Sequence, residues 1–276
     1  MYGDLYTYAR FPQCFECIAL PRCKESCSKI KVKLKLDIVR NLSKTADQKT
    51  IDETLYYLMV DKRAYKDIIM ELLPLASQSS RERTLASVEN FTCSRIDIAR
   101  QILSLGVSDN AKQEAVKNAI SEFHFRRKRT IKKVVLQIVT LICKTGYNDD
   151  CTSMKWFVRE LVKYGVTTDE VEAVETLLGV VSDDSFGNLV LSTIGCVWSS
   201  KMAKLLVAKA KEKENPNLES LLWQAVRYCN TVAVNEILLQ GGHIYAGKIL
   251  ERIGFPVITK QVESLLQAAA SLTPTL

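Results

Sequence analysis

From residue 50 onward, apolar residues recur three and four positions apart, the spacing of one face of an α-helix, and short polar signals punctuate them. Thr50-Ile51-Asp52-Glu53 has the form of a capping box ahead of the apolar run TLYYLM. Ser79-Ser80-Arg81-Glu82 is a second, opening a helix that carries Leu85 and Val88. Thr167-Thr168-Asp169-Glu170 is a third, ahead of Val171, Val174 and Leu177. In each, the hydroxyl and the carboxylate three residues later satisfy backbone donors that a helix start leaves open. Asn215 followed by Pro216 reads as an N-cap and first helical residue. Gly106, Gly146, Gly165 and Gly241 each follow an apolar stripe, where a helix ends in a left-handed residue. These marks predict a chain of short helices of about 10–15 residues. The last spans about residues 259–270, and the tail at 273–276 is expected to fray.

The N-terminal stretch departs from this pattern. Residues 1–27 hold two prolines and four cysteines without a sustained period, and read as an irregular segment. In the next stretch Lys29, Lys31, Lys33 and Lys35 alternate with Ile30, Val32, Leu34 and Leu36, as in an amphipathic strand. Ile30, Leu34, Ile38 and Leu42 also form a stripe at helical spacing, with Ser28 as its N-cap. The helical surroundings favour the helix.

Four segments resemble one another: SRIDIARQILSLGV (94–107), SMKWFVRELVKYGV (153–166), SKMAKLLVAKA (200–210) and NTVAVNEILLQGG (230–242). Each starts on a small polar residue and continues as an apolar-faced helix. Three follow a shorter helical stretch, at 84–91, 189–198 and 218–228. That is a helix–turn–helix unit repeated irregularly. In LLWQAVRYCNTVAVNEILLQGG (221–242), Leu222, Ala225 and Val226 sit where an ankyrin repeat has the apolar positions of its first helix. Asn230 to Val232 stand at the turn, and Val234, Ile237, Leu238 and Gly241 at the second helix and its stop. This segment resembles an ankyrin repeat, and residues 84–107 are similar with a two-residue insertion. The T-P-L-H tetrapeptide of that family is absent, and the glycine stops lie 40, 19 and 76 residues apart rather than at its period of about 33. A degenerate ankyrin-like array and another α-solenoid fit equally. Either implies stacked hairpins that bury one another's apolar faces and present an extended binding surface.

Composition narrows the class. The chain has 276 residues, 47% of them hydrophobic and 25% charged, which is globular rather than disordered. Eleven glycines and six prolines are few for an all-β protein with its many turns. No run of about 18 apolar residues marks a membrane span, and no apolar stretch at the start marks a signal peptide. Nine cysteines, an odd number without a secretion signal, point to reduced thiols in the cytoplasm or nucleus. Of these, Cys93, Cys143, Cys151, Cys196 and Cys229 fall in helical stretches and are expected to pack as small buried hydrophobes. The net charge of +7 is uneven, with 26 basic and 18 acidic residues in 1–150 against 12 and 13 in 151–276. An acidic partner is permitted by that balance and not demanded by it.

Candidate chemistry is sparse. Cys14, Cys17, Cys23 and Cys27 place four thiols within 14 residues; zinc takes four such ligands, although most structural sites separate the two pairs further. The other reading is reduced cysteines packed under a loop, with no cofactor. Arg126, Arg127, Lys128, Arg129, Lys132 and Lys133 follow Phe123 and Phe125. Cations neutralise phosphates and aromatics stack on unpaired bases, so this strip is a candidate RNA-contacting edge. A nuclear-import patch and a solvated face with both phenylalanines in the core are the other readings. Trp156, Trp198 and Trp223 lie on apolar helix faces. Catalytic motifs are missing, and the two histidines, His124 and His243, are far apart in sequence.

The sequence thus predicts an all-α protein: an irregular N-terminal segment at 1–27, a helical-repeat domain over 28–272 made of stacked helical hairpins, and a tail at 273–276. The expected function is a non-enzymatic, intracellular scaffold that holds a protein partner at inter-hairpin turns, with Ser94, Arg95, Asn230 and Thr231 as contacts. The alternative is RNA binding through the basic strip. No membrane association is expected.

Overall fold

A computed structural model describes residues 40–41, 44–60, 66–125, 128–146, 152–214, 216–253 and 259–272. Among these residues every regular element is helical. The fourteen α-helices are α1 (Gln48–Val60), α2 (Lys66–Leu72), α3 (Gln78–Ala86), α4 (Ile96–Ser104), α5 (Asp109–Phe125), α6 (Arg129–Lys144), α7 (Thr152–Thr168), α8 (Val171–Leu178), α9 (Asp183–Thr193), α10 (Ser200–Lys213), α11 (Leu218–Arg227), α12 (Thr231–Leu239), α13 (Ala246–Arg252) and α14 (Lys260–Ala270). Short 3₁₀ turns occupy Val88–Asn90, Cys93–Arg95 and Gly242–Tyr245. None of the described helices is long and apolar enough to cross a membrane.

The chain divides into two compact units, Met1–Tyr147 and Asn148–Leu276. In the first, consecutive helices pair as α1–α2, α3–α4 and α5–α6. Alternate helices also touch, α1–α3–α5 along one row and α2–α4–α6 along the other. In the second unit α7–α8, α9–α10, α11–α12 and α13–α14 pair, and α8–α10–α12–α14 forms a row.

Burial follows the apolar stripes. In α1, Ile51, Leu55, Leu58 and Met59 share one face and are buried, the arrangement of an amphipathic surface helix. From Val134 onward helix α6 buries Val134, Val135, Leu136, Ile138, Val139, Ile142 and Cys143, because it touches both α4 and α5. The second unit is built around Trp198, Phe157 and Phe186, each essentially inaccessible. The indole N–H of Trp198 donates to the Thr193 carbonyl at 2.9 Å, which satisfies the one polar group this ring takes into the core.

Several helix boundaries differ from the predicted ones. α1 is capped by Asp47, which accepts from the Thr50 N–H at 2.7 Å, so Thr50 lies inside the helix. α3 is capped by Ser77, which accepts from the Ser80 N–H, two residues before the predicted box. Its first-helix stretch ends at Ala86, and 3₁₀ turns fill much of 88–95 before α4. Gly165 is no stop: it is buried within α7, which continues through Val166 into the core and ends at Asp169, in left-handed conformation at φ 59°. Thr167 and Thr168, predicted to cap the next helix, bond back to the carbonyls of Lys163 and Tyr164 instead. Asn217 caps α11, accepting from the Ser220 N–H at 2.8 Å; Asn215 lies outside the described residues. Thr259 caps α14.

Gly106, Gly146 and Gly241 do sit at positive φ at helix ends. Elsewhere the same left-handed position is filled by Asp169, Glu214 and Cys229. Gly242 is required for another reason, since a Cβ there would meet the Ile237 side chain at 2.6 Å and its carbonyl oxygen at 2.8 Å.

Candidate functional site

Two acids of the first unit each bond a serine at the start of a later helix. The Asp52 carboxylate on α1 accepts from the Ser77 N–H at 2.8 Å and the Ser77 hydroxyl at 2.5 Å. Glu82 on α3 accepts from the Ser108 N–H at 2.8 Å and from Gln78 Nε2 at 3.0 Å. Ser108 in turn accepts from the Ala111 N–H at the start of α5. The Ser108 N–H holds the Glu82 carboxyl below its ordinary value, because a hydrogen bond to the ionised form favours it. Each acid thus grips the start of the next helix in its row. Asn118 Nδ2 adds a bond at 2.9 Å to the Ala86 carbonyl, at the end of α3.

The row held this way carries two adjoining recesses. One, of about 530 Å³, is lined by Gln48, Lys49, Asp52, Glu53, Tyr56, Tyr57, Ser79, Ser80 and Arg83. The other, of about 500 Å³, runs on past Glu82, Ala86, Glu89, Asn110, Glu114 and Asn118. Ser79 and Arg83 border both. Together they form a groove across the solvent side of α1, α3 and α5. Tyr56 and Tyr57 are about half exposed, with ring centroids 5.8 Å apart in an edge arrangement. They turn outward because the buried stripe of α1 runs through Ile51, Leu55, Leu58 and Met59, which leaves 56 and 57 on the opposite face.

The residues singled out from sequence fare unequally. Arg95 is buried at 2% exposure, and its guanidinium donates to the Met59 carbonyl at 3.0 Å. Asn230 is the N-cap of α12, and its Nδ2 donates to the carbonyls of Ile194 and Cys196, both at 3.0 Å. Both side chains bond backbone carbonyls of segments distant in sequence. Ser94 is exposed and its hydroxyl pairs with that of Thr92, while Thr231 is half-buried.

In the basic strip, Lys128 and Arg129 are exposed, and Lys132 and Lys133 are half-buried along the start of α6. Arg126 and Arg127 lie outside the described residues. The two phenylalanines part company: Phe123 is in the core, with Lys132 Nζ 4.6 Å from its ring centroid, whereas Phe125 is 86% exposed.

The four candidate zinc cysteines, Cys14, Cys17, Cys23 and Cys27, and the lysines at 29–35 also lie outside the described residues. Among the described residues no group of three or more His, Cys, Asp or Glu side chains is placed to hold a metal ion. Among the described cysteines the expectation of burial holds for Cys143 alone, whose thiol burial pushes up to about 11. Cys93 is exposed and Cys196 and Cys229 are half-buried; Cys151 lies outside the described residues. Trp198 is buried, Trp156 is 45% exposed, and the Trp223 ring lies 5.6 Å from the Arg252 guanidinium. His124 is exposed against Phe123, and His243 is half-buried in a 3₁₀ turn of the other unit.

Comparison with known proteins finds no matching family model, no similar curated protein and no similar solved structure.

None of the groove residues was singled out from sequence as a contact, although Asp52, Glu53, Ser79, Ser80 and Glu82 were read as helix-capping residues. The signal was present for Tyr56 and Tyr57, which fall off the apolar stripe of α1. It was absent for Arg83, Glu89 and Glu114, whose proximity depends on how α3 and α5 are stacked.

Proposed function

We propose that this chain is a non-enzymatic interaction scaffold, a stack of helical hairpins of ankyrin-like or similar helical-repeat kind, that docks a protein partner along α1, α3 and α5. The observation that carries the reading is the pair of recesses meeting at Ser79 and Arg83 across three successive helices of one row. A row of helices pinned side by side offers an extended, preformed surface, and a preformed surface loses little entropy on binding. The pairing of helices with next and next-but-one neighbours supports the stacked-hairpin reading. So do the cross-hairpin bonds Asp52–Ser77, Glu82–Ser108 and Asn118–Ala86. The cysteine usage favours a cytoplasmic or nuclear setting. In this reading the contact set expected from sequence, Ser94, Arg95, Asn230 and Thr231, gives way to groove residues.

A photo-crosslinking residue in place of Tyr57, compared with one in place of exposed Ser104 on α4, tests this in cells. A discrete adduct from position 57 and none from 104 is expected. Equal labelling from both positions, or none from either, overturns the reading.

RNA binding by Arg126, Arg127, Lys128, Arg129, Lys132 and Lys133 is the second reading, favoured by the exposed ring of Phe125 beside the strip. Stacking on such a ring contributes about 1–3 kcal/mol per base. It predicts single-stranded RNA binding that weakens steeply with salt and is lost with Phe125→Ala and Lys128→Ala together.

A further inference from the structure

The groove has a sign of charge opposite to that of the region it is carved in. Its ionisable walls are five carboxylates, Asp52, Glu53, Glu82, Glu89 and Glu114, against two cations, Lys49 and Arg83. Residues 1–150, by contrast, carry 26 basic and 18 acidic side chains. Not all five acids are equally available. Asp52 and Glu82 are engaged by the serines of the next hairpins, and Glu53 has Lys49 at 3.8 Å. Glu89 and Glu114 are exposed along the second recess. The rings of Tyr56 and Tyr57, half open to solvent, also line the first recess.

Carboxylates and aromatic faces attract the same kind of group. A guanidinium or ammonium pairs with the first and sits over the second. A phosphate-bearing ligand is repelled by the same walls. We propose that the groove's occupant is an arginine- or lysine-containing segment of a partner protein. One basic side chain lies against Tyr56 and Tyr57, and another meets Glu89 and Glu114. Arg83, where the two recesses join, sets a point at which the bound segment carries no cation. The segment is therefore a spaced basic sequence, not an unbroken cationic run. This rests on the docking reading of the same groove and specifies the chemistry of its partner.

The test is fluorescence anisotropy on the full chain with two labelled peptides. One has arginines separated by serines and alanines; the other has glutamate in place of each arginine. The arginine peptide should bind about tenfold or more tightly than its glutamate counterpart, since like charges facing each other oppose association. Glu89→Lys with Glu114→Lys should weaken arginine-peptide binding about tenfold, and Tyr57→Ala about threefold, in line with the strength of exposed cation–aromatic contacts. Arg83→Glu should strengthen it. Glu175→Lys with Glu251→Lys makes the same charge change at exposed sites of the other unit, and should leave affinity unaltered. Equal binding of both peptides overturns the proposal, as does equal weakening by the Glu175/Glu251 variant. If neither peptide binds while position 57 still crosslinks a partner, the basic-segment assignment falls and the docking reading stands. If crosslinking fails as well, both fall.

Discussion

Asn230 Nδ2 donates to the carbonyl of Ile194 at 3.0 Å, across 36 residues of sequence. The same amide nitrogen reaches the Cys196 carbonyl, while its oxygen caps α12 by accepting from the Ala233 N–H at 3.1 Å. One side chain thus closes the start of α12 and fastens the connection between α9 and α10. Asn230→Ala is expected to cost about 2–4 kcal/mol, a lost cap plus two carbonyls without their donor. Asn230→Asp, which keeps the cap acceptor and faces the two carbonyls with a carboxylate, should be no better than alanine. Tryptophan fluorescence in a urea titration measures this directly, because Trp156, Trp198 and Trp223 all lie in the second unit.

Glu214 ends α10 at φ 51°, exposed, with its N–H bonded to the Ala210 and Lys211 carbonyls. A side chain in this left-handed conformation is strained, and glycine is not. Glu214→Gly is expected to stabilise the second unit by about 0.5–1 kcal/mol, the strain relief exceeding the added freedom of the unfolded chain. The same urea titration would show a higher midpoint. A lower midpoint would mean that the cap bonds need more than backbone geometry.

The first unit should be sensitive to acid. Glu82, Glu71 and Asp97 all have carboxyl values held below ordinary. For Glu82 the chief cause is the Ser108 N–H, for Glu71 the bond from Arg40, and for Asp97 the bond from Lys66. A value lowered on folding means that the unfolded chain takes up protons first. The stabilisation is therefore full above the ordinary values, 4.5 for glutamate and 3.8 for aspartate, and disappears as pH falls through the lower folded ones. Glu82→Gln should be less stable than wild type at neutral pH and converge with it in strong acid, measured by far-UV circular dichroism during urea unfolding. A gap independent of pH would show that the Glu82 charge is not what Ser108 recognises.

Cysteine reactivity should divide by burial. Cys143 sits in the core of α6 with its thiol pushed up to about 11, whereas Cys93 is exposed in a 3₁₀ turn. Since the thiolate is the reacting species, iodoacetamide at mildly alkaline pH should label Cys93 in the native protein. Cys143 should be labelled only after denaturation. Peptide mass spectrometry with and without urea separates the two sites.

Much of the helical content was legible in sequence, and little of the groove was. The apolar stripe of α12 and its stop at Gly241 are read within a few residues of themselves. Ser77 and Ser79 are equally good caps by type and context. Ser77 holds the position while Asp52, 25 residues away, bonds both its N–H and its hydroxyl. Arg95 looked like a surface contact because charge is usually exposed; a carbonyl at Met59, 36 residues back, takes it into the interior.

By itself the sequence determined that the described chain is helical, roughly where most helices lie, and that Gly106, Gly146 and Gly241 end them. Those are interactions within a turn or two: apolar spacing, caps and left-handed stops. The tertiary structure decided that Gly165 stays inside α7, that Asp169, Glu214 and Cys229 take a glycine's conformation, that Phe123 is buried and Phe125 is not, and that Tyr57, Arg83 and Glu114 line one groove. The bonds that join separate helices, such as Asp52 to Ser77, Met59 to Arg95 and Ile194 to Asn230, link residues 25–36 positions apart. A local pattern carries no record of them, because their energies appear only when helices distant in sequence have packed together.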